Sequence, residues 1–338
     1  MRAAMYYKNS DVRVVDVPKP KIGSGEALLK VKACGICGSD VMEWYRVKRA
    51  PLVLGHEATG DIAEVGPGVK GFKVGDRVFV SHHVPCGVCH YCTKGKETSC
   101  DLLRTTNIDP GGFAEFARIP EINVQLGLYH LPEEMSYAEG TFIEPLGCVL
   151  RGLRQSHFHA GNCVVVLGSG IAGLLQIKAA IALGAGPVIA TDVSEFRLGL
   201  AKKAGALAMD ACVDVPDVIR KANHGRLADI VMLCTGAMSA IEQAMKSVDR
   251  GGTILFFATP APGQAVPLPA NEFWRDEVTV TSSYGAGPRD LREAIAMLRS
   301  RRVLVEDLIT HRLPLAEAAK GFQLTAEAKD SLKVILEP

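Results

Sequence analysis

Four closely spaced cysteines constrain this chain more than any other feature of its sequence. Cys86, Cys89, Cys92 and Cys100 are separated by two, two and seven residues. Short Cys-x2-Cys steps carry thiolates on tight turns to a common point, which is what a tetrahedral Zn²⁺ requires. The net charge is +1 and no run of basic residues flanks the cluster, so a zinc finger that binds the phosphates of a nucleic acid is disfavoured. We therefore expect a closed, structural zinc site on a small lobe at about residues 85–101.

Length and composition indicate the number of domains and exclude several classes of partner. The length of 338 residues suggests two domains, and 48% hydrophobic with 22% charged residues is an ordinary globular balance. No secretory signal pattern is seen, so we expect reduced thiols and a cytoplasmic location rather than a disulfide lobe. Near-zero net charge and the lack of an apolar run of about 18 residues predict no nucleic-acid and no membrane partner.

The first third of the sequence, to about Pro120, has a pattern typical of β-structure. Short apolar segments such as 27–31, 60–65 and 77–80 are separated by glycine and proline. Such spacing predicts a β-rich, barrel-like domain. The apolar segment 332–336 is a further strand pattern, and we expect it to rejoin this domain.

From about Cys148 the pattern changes to alternating strands and helices. The apolar run 163–167 predicts a buried strand, and the turn 168–173 with the pattern G-x-G-x-x-G leads from it into an apolar helix. Asp192 lies 19 residues beyond Gly173. This combination is typical of a dinucleotide-binding βαβ unit, and the later alternation predicts an α/β fold with a doubly wound parallel sheet.

The turn and the acidic residue together predict a nicotinamide dinucleotide. The glycines let a pyrophosphate approach the backbone at a helix N-terminus. Asp192 would accept hydrogen bonds from the adenosine ribose hydroxyls, and its charge would repel a 2′-phosphate, so NAD is favoured over NADP. Arg197 leaves two alternatives, because its guanidinium can stack on the adenine or hold that phosphate. A glycine-rich turn that binds nothing is the remaining alternative.

The domain boundaries follow from where the pattern changes. We expect a catalytic zinc domain at residues 1–147 and 286–338, and a dinucleotide-binding domain at 148–285. The second domain would then be an insertion in the first, with a cleft between the two.

Two segments upstream of the cysteine lobe, Cys34–Asp40 and Gly55–Gly60, resemble the signature of the zinc-containing medium-chain alcohol dehydrogenases. The lobe and the glycine turn follow in that family's order, so the resemblance covers essentially the whole chain. Glu144-Pro145-Leu146 stands where ethanol-type enzymes carry a ligand cysteine, which favours the sorbitol and threonine dehydrogenase branch. The resemblance implies a GroES-like β-rich domain, a Rossmann domain, two zinc ions per subunit, NAD, and a homodimer or homotetramer.

The same resemblance implies an open, catalytic zinc site. Cys37 and His56 would be direct ligands. Glu57, which follows His56, and Glu144 are both candidates to complete the shell, directly or through water. A zinc ion with an open position makes an alcohol proton easier to remove, which is the difficult part of oxidising an alcohol.

Other residues near this site are given supporting roles. Ser39 matches the family's proton-relay hydroxyl, and Asp40 would orient His56 through its second ring nitrogen. Met42 stands where the family often has a relay histidine, so another group must finish the transfer. His82 and His83 are interpreted as packing or surface residues and not as ligands.

The cofactor contacts implied by the turn and by the resemblance lie along the second domain: Gly168, Gly170, Ala172, Gly173, Asp192, Arg197, Thr235, Phe257, Ala258, Thr259, Ser283 and Tyr284. The loop 43–51 is basic through Arg46, Lys48 and Arg49. We interpret it as a solvated loop, with contact to an acidic or phosphorylated substrate as the alternative.

The function that we predict is oxidation of a secondary alcohol by zinc and NAD, on a polyol, cyclitol, sugar or hydroxy-amino acid. Two alternatives remain open from the sequence. One is a zinc-bearing reductase of activated alkenes or acyl thioesters. The other is a non-enzymatic, NAD-sensing protein on the same scaffold.

Overall fold

The computed structural model describes every residue from Met1 to Pro338. The chain divides into two compact units. The first contains Met1–Pro145 and Ala286–Pro338, and the second contains Leu146–Gly285.

The chain contains sixteen strands and thirteen α-helices. The strands are β1 Arg2–Lys8, β2 Asp11–Asp16, β3 Ala27–Ile36, β4 Leu52–Val53, β5 Glu57–Val65, β6 Arg77–Ser81, β7 Phe116–Ile119, β8 Leu128–His130, β9 Val164–Leu167, β10 Val188–Asp192, β11 Leu207–Asp210, β12 Ala228–Leu233, β13 Val248–Phe256, β14 Thr279–Ser282, β15 Ile309–Pro314 and β16 Lys333–Glu337. The helices are α1 Glu43–Arg46, α2 His90–Thr93, α3 Asp101–Thr105, α4 Glu121–Gly127, α5 Tyr137–Gly140, α6 Ile143–Gln155, α7 Ile171–Ala182, α8 Glu195–Lys203, α9 Val215–Ala222, α10 Met238–Ser247, α11 Ala270–Arg275, α12 Pro288–Arg299 and α13 Ala318–Glu327.

A membrane-spanning helix needs about 20 apolar residues. None of these helices has the length and apolar character to cross a bilayer.

The first unit is built on a seven-stranded sheet in the order β15-β16-β3-β5-β6-β8, with β7 also pairing with β3. A small sheet in the order β2-β1-β4 accompanies it. The aromatic rings of Tyr6, Phe113 and Phe322 pack together in its core, with centroids 5.6 Å apart for each pair that involves Phe322. The β-rich domain predicted from the short apolar segments is therefore confirmed.

The strand predicted at 332–336 is β16, and it does return to the first unit. It pairs antiparallel with β3, with Ile335 opposite Gly35. On its other side, β3 pairs antiparallel with β5, with Gly35 opposite Glu57. A strand from late in the chain thus lies next to the strand that leads to Cys37.

The second unit contains a six-stranded, entirely parallel sheet in the order β11-β10-β9-β12-β13-β14. All four residues of β9 are fully buried, as expected of a central strand covered on both faces. The strand order runs in opposite directions from β9, since β10 and β12 are its two neighbours. This is the doubly wound arrangement that the sequence predicts, and ligands bind beyond the carboxyl ends of the strands where such an order reverses.

Candidate active site

The four cysteines of the lobe converge on one point. The Sγ atoms of Cys86, Cys89, Cys92 and Cys100 lie within 4.8 Å of one another. Backbone N–H groups point at two of the sulfurs, from Cys86 to Cys100 at 3.4 Å and from Cys89 to Cys86 at 3.3 Å. Burial opposes ionisation of Cys100, but such N–H groups outweigh it and lower its pKa to about 6. Four converging sulfurs fit a structural Zn²⁺, which binds cysteines as thiolates.

A second group joins the end of β3 to the start of β5. The ligand atoms of Cys37, His56 and Glu57 lie within 4.8 Å of one another. Cys37 follows the last residue of β3, and the pairing of Gly35 with Glu57 places the two strand ends side by side. One sulfur, one imidazole and one carboxylate fit the donor set of a catalytic zinc, which keeps a position open for substrate.

Asp40 fixes the orientation of His56. Its side chain is fully buried, with Oδ1 3.3 Å from Nδ1 of His56 and Oδ2 accepting the backbone N–H of Cys37 at 3.1 Å. A hydrogen on Nδ1 leaves Nε2 as the nitrogen available to a metal. Burial disfavours the charged imidazolium, but Asp40 and Cys37 outweigh it and raise the pKa of His56 well above its usual value.

Glu57 is held by a lysine that the sequence analysis did not single out. Nζ of Lys333, on β16, donates to Oε2 of Glu57, and both side chains are only 1% exposed. The two meet over Gly35, where a Cβ would lie 2.0 Å from Oε2 of Glu57 and 2.6 Å from Cε of Lys333. The one signal in the sequence was a lysine inside an otherwise apolar strand pattern, because such a residue is buried only when its charge is balanced.

Arg46 belongs to the site and not to the solvated face of its loop. Its Nη2 donates to Oγ of Ser39 at 3.1 Å, and its Nε donates to the backbone oxygen of Ser39 at 2.9 Å. The same guanidinium lies 3.4 Å from Oδ1 of Asp40 and over the ring of Tyr45. The expectation of a solvated loop is therefore wrong for Arg46, since two acceptors and a ring face hold it inward. Lys48 and Arg49 are exposed, as expected.

His82 also lies closer to the site than the sequence indicated. Its ring packs on that of His56 with centroids 4.8 Å apart, and on that of His83 at 3.8 Å. Burial, followed by the positive charges of His83 and His56, lowers the pKa of His82 well below its usual value. The interpretation as a packing residue holds, but the residue packed against is the candidate metal ligand itself. Spacing alone could not reveal this, because it depends on where β6 ends relative to β5.

Glu144 is not one of the three side chains whose ligand atoms converge. It is half-buried in the first turn of α6, and it is not among the side chains whose ligand atoms lie within 4.8 Å of one another. Its role at the metal remains a prediction.

In the second unit, the glycine turn that connects β9 to α7 requires glycine at two positions. Gly168 has φ +94°, a left-handed conformation that favours glycine. A Cβ on Gly173 would lie 2.0 Å from the backbone oxygen of Gly168, so this position also requires glycine. A Cβ on Gly170 would meet no atom within 4 Å, and no side chain caps the N-terminus of α7 there. The turn thus leaves open space and free N–H groups, which fits a bound pyrophosphate.

Asp192 ends β10 beside this turn and is buried. Its Oδ2 accepts the N–H of Ser169 at 2.8 Å, and its Oδ1 accepts the N–H of Ser194 at 2.9 Å. Nη1 of Arg197 lies 3.7 Å from the same carboxylate. Each carboxylate oxygen can accept a second hydrogen bond, so the group remains able to bind ribose hydroxyls.

The remaining predicted cofactor contacts lie at one edge of the sheet. Thr235 comes after β12, residues 257–259 follow β13, and Ser283 and Tyr284 follow β14. Ala172 is in the first turn of α7. Since all these strands are parallel, their carboxyl ends share the edge at which the glycine turn lies. Which of these residues touch a cofactor remains a prediction.

Comparison with known proteins agrees with this geometry. Residues 23–132 match the family model of the alcohol dehydrogenase GroES-like domain, and residues 172–300 match that of the zinc-binding dehydrogenases. A sorbitol dehydrogenase from Bacillus subtilis is 31% identical over 350 aligned residues, covering 100% of this chain and 97% of that protein. An L-threonine 3-dehydrogenase from Pyrococcus furiosus is 35% identical, covering 94% of this chain and 90% of that protein.

Among solved structures, the alcohol dehydrogenase TADH from Thermus sp. ATN1 superposes with a TM-score of 0.89. It is 29% identical, and the match covers 100% of this chain and 99% of that one. With two zinc-binding donor sets, a dinucleotide turn and relatives of full length, the chain belongs to the zinc-containing medium-chain alcohol dehydrogenases, in the sorbitol dehydrogenase-like branch, and is a zinc-dependent, nicotinamide-linked dehydrogenase of alcohols and polyols.

Proposed function

We propose that this dehydrogenase oxidises a secondary alcohol of a polyol, cyclitol, sugar or hydroxy-amino acid and transfers the hydride to NAD. The observation that carries the proposal is the convergence of Cys37, His56 and Glu57 beside the buried Asp40. When bound there, zinc polarises the alcohol oxygen and makes its proton easier to remove. The relatives described above are named for a polyol and for a hydroxy-amino acid, which supports both substrate classes.

Different residues of the chain would bind the metal and transfer the proton. Cys37 and His56 hold the ion, and Glu57 or Glu144 completes the set, directly or through water. Ser39 takes the alcohol proton and passes it on. Because Arg46 donates to Oγ of Ser39, one lone pair and the hydroxyl hydrogen remain for this transfer. Cys86, Cys89, Cys92 and Cys100 hold the structural zinc.

NAD is the preferred cofactor in this proposal. The carboxylate of Asp192 lies at the end of β10 and repels a 2′-phosphate. Arg197 already faces that carboxylate, so its positive charge is partly balanced. We expect kcat/KM to be higher with NAD than with NADP. Asp192→Ala should reduce the difference in kcat/KM between the two cofactors, because it removes the charge that repels the 2′-phosphate. A wild-type preference for NADP would contradict this assignment.

The test of the function is NADH formation on a panel of polyols, cyclitols and hydroxy-amino acids. Chelation of the metal and Cys37→Ala should each abolish turnover, while circular dichroism shows that the fold is retained. Cys34→Ala is the matched control, because Cys34 is a buried thiol three residues away and outside the ligand group. Turnover that survives loss of the Cys37 thiolate would refute the mechanism.

The alternatives predicted from sequence receive no support from the relatives, which are dehydrogenases of alcohols. An activity on enones that needs no zinc would favour the reductase. NAD binding without turnover on the whole panel would favour the sensor.

A homo-oligomer and a cytoplasmic location complete the proposal. None of the ten cysteines forms a disulfide, which fits the reduced state that a reducing compartment maintains. In the second unit, β14 pairs only with β13 and leaves one edge open. Trp274, which lies in α11 five residues before β14 begins, is 80% exposed. An open strand edge and an exposed aromatic ring both suit contact with a second copy.

A further inference from the structure

Contacts on three sides hold the guanidinium of Arg46 in one orientation. Its Nε donates to the backbone oxygen of Ser39 at 2.9 Å, and its Nη2 donates to Oγ of the same residue at 3.1 Å. Nη2 also lies 3.4 Å from Oδ1 of Asp40, and the guanidinium carbon lies 4.7 Å from the ring centroid of Tyr45. Only 14% of the arginine side chain is exposed. A planar fork that binds two oxygens and stacks on a ring is a role that lysine cannot fill.

The loop that carries Arg46 is anchored to the core of the first unit through Asn9. Nδ2 of Asn9 donates to the backbone oxygen of Val41 at 2.7 Å, and its backbone N–H donates to Oε2 of Glu43 at 3.0 Å. Oδ1 of Asn9 accepts the hydroxyl hydrogen of the fully buried Tyr6 at 2.9 Å. The position of Arg46 is therefore set by contacts that reach the core, although several side chains of its loop are exposed.

Ser39 lies beside the metal-ligand group, so the hydrogen bonds of its hydroxyl determine what it can do there. Its backbone N–H lies 3.5 Å from Sγ of Cys37. A hydroxyl has one hydrogen to donate and two lone pairs. Because a guanidinium carries donors only, Arg46 occupies one lone pair, and the hydroxyl hydrogen cannot bond to it. The second lone pair is left to accept a proton, and the hydrogen must bond to a different acceptor.

Neither Arg46 nor Met42 can carry a proton beyond Ser39. An arginine stays protonated in proteins, so it cannot take a proton up. The thioether of Met42 is a weak acceptor with no hydrogen to release. A histidine at position 42 could both accept and release a proton near neutral pH. The arginine contact thus replaces a proton carrier with a fixed donor.

We propose that Arg46 is a positioning residue for proton transfer, and that it acts by orienting the Ser39 hydroxyl. With one lone pair bound to Arg46, the other faces the alcohol and the hydrogen faces solvent. As the alcohol O–H bond breaks, its proton binds to Oγ of Ser39 and the serine's own hydrogen passes to water, while the hydride goes to NAD. The products are a ketone, NADH and a solvated proton. The inference rests on the proposed function, because Ser39 has this role only if an alcohol is oxidised.

The test is Arg46→Met, which keeps a long apolar side chain and removes every donor. On an alcohol that the wild type oxidises, kcat should fall about 10- to 100-fold with KM little changed, because the interaction acts in the transition state. The ratio of kcat in H2O to kcat in D2O should rise, since proton transfer then limits turnover. Arg49→Met is the matched control, because it makes the same change at an exposed arginine nearby. That control should leave kcat and the isotope effect unchanged.

A double variant separates a role through Ser39 from a general structural role. In a Ser39→Ala background, Arg46→Met should lower kcat no more than about twofold further, because the hydroxyl that it positions is gone. The zinc content of Arg46→Met should equal that of the wild type, and its crystal structure should show Ser39 in more than one rotamer. An equal loss of kcat with and without the hydroxyl, or a single, unchanged Ser39 rotamer, would overturn the proposal.

If Arg46→Met does not fold, Arg46→Lys decides, because it keeps a positive charge beside Asp40. A single ammonium nitrogen lacks the planar fork that binds both oxygens of Ser39, so kcat should still fall and the isotope effect should still rise. Wild-type values of both in this variant would refute the inference. A wild type that oxidises no alcohol would instead refute the proposed function, and the Ser39 rotamer in the variant crystals would still test the positioning.

Discussion

The ion pair between Glu57 and Lys333 shows how one residue of a metal site depends on a distant partner. Both side chains are almost fully buried, and the two residues are 276 positions apart in the sequence. A buried pair is not in itself strongly stabilising, but removing one partner leaves an uncompensated charge.

We expect Lys333→Met to lower the free energy of unfolding by about 3–5 kcal/mol in urea denaturation, with zinc chelated so that the metal cannot replace the lysine charge. The double variant Lys333→Met/Glu57→Leu should recover most of that loss, because no unpaired charge remains. Lys329→Met is the control at an exposed lysine and should change stability little. A double variant as unstable as the single one would show that the lysine acts through packing instead of charge.

Glu139, which lies outside the metal-ligand group, makes a pH-dependent contribution to the free energy of unfolding. It accepts the N–H of Ser136 at 2.9 Å and a hydrogen bond from Arg301. Burial raises the pKa of Glu139, but these partners outweigh it and hold the pKa below its usual value. A lowered folded-state pKa means that the stabilisation is present above the unfolded pKa of about 4.3 and is lost as the pH falls through the folded pKa.

Glu139→Gln should therefore reduce the free energy of unfolding by about 1 kcal/mol at pH 7. The difference from wild type should shrink as the pH falls below about 4, since protonation then removes the same charge from the wild type. The measurement is urea denaturation at a series of pH values. A difference that grows toward acid would contradict the assignment.

Residues that the sequence could identify are those whose partners lie nearby in the chain. The cysteine lobe and the glycine turn each occupy fewer than about 20 residues, so spacing and residue type suffice to find them. Lys333, Arg46 and His82 were missed or misplaced, because their partners lie on other elements. No local sequence pattern indicates the pairing that brings β16, β3 and β5 together.

At the scale of elements, both sheets could be predicted because their periodicity is local. Short apolar segments separated by glycine and proline indicated the β-rich unit, and strand-helix alternation indicated the parallel sheet. The register of β3 against β5, which sets Gly35 opposite Glu57, could not be predicted. Register depends on side-chain packing across strands that are distant in sequence.

The turn between β9 and α7 offers a matched pair of substitutions. Gly173→Ala places a Cβ 2.0 Å from a backbone oxygen, so it should lower both thermal stability and NAD affinity. Gly170→Ala meets no atom within 4 Å, so the fold should lose no more than about 1 kcal/mol while NAD affinity falls. Differential scanning calorimetry and titration with NAD measure the two effects. Full NAD affinity in Gly170→Ala would show that the dinucleotide does not approach this turn.

At the scale of the whole molecule, the open edge of β14 predicts assembly. Light scattering should give a mass that is a multiple of 36.1 kDa. Trp274→Glu should shift the mass toward one subunit if this surface forms the contact, because a charge would be buried without a partner. Lys70→Glu changes the charge of an exposed residue in the first unit and serves as the control. A monomeric wild type would refute the proposal.

The 276-residue separation of Glu57 and Lys333 also has a consequence during synthesis. At about 5–20 residues per second, the ribosome needs roughly 15 to 55 s to proceed from one to the other. Throughout that interval the carboxylate of Glu57 must be solvated by water or paired with a counterion, a captured metal or another basic side chain. Lys333 is therefore synthesised long after Glu57, and it must displace whatever group has already paired with the Glu57 carboxylate.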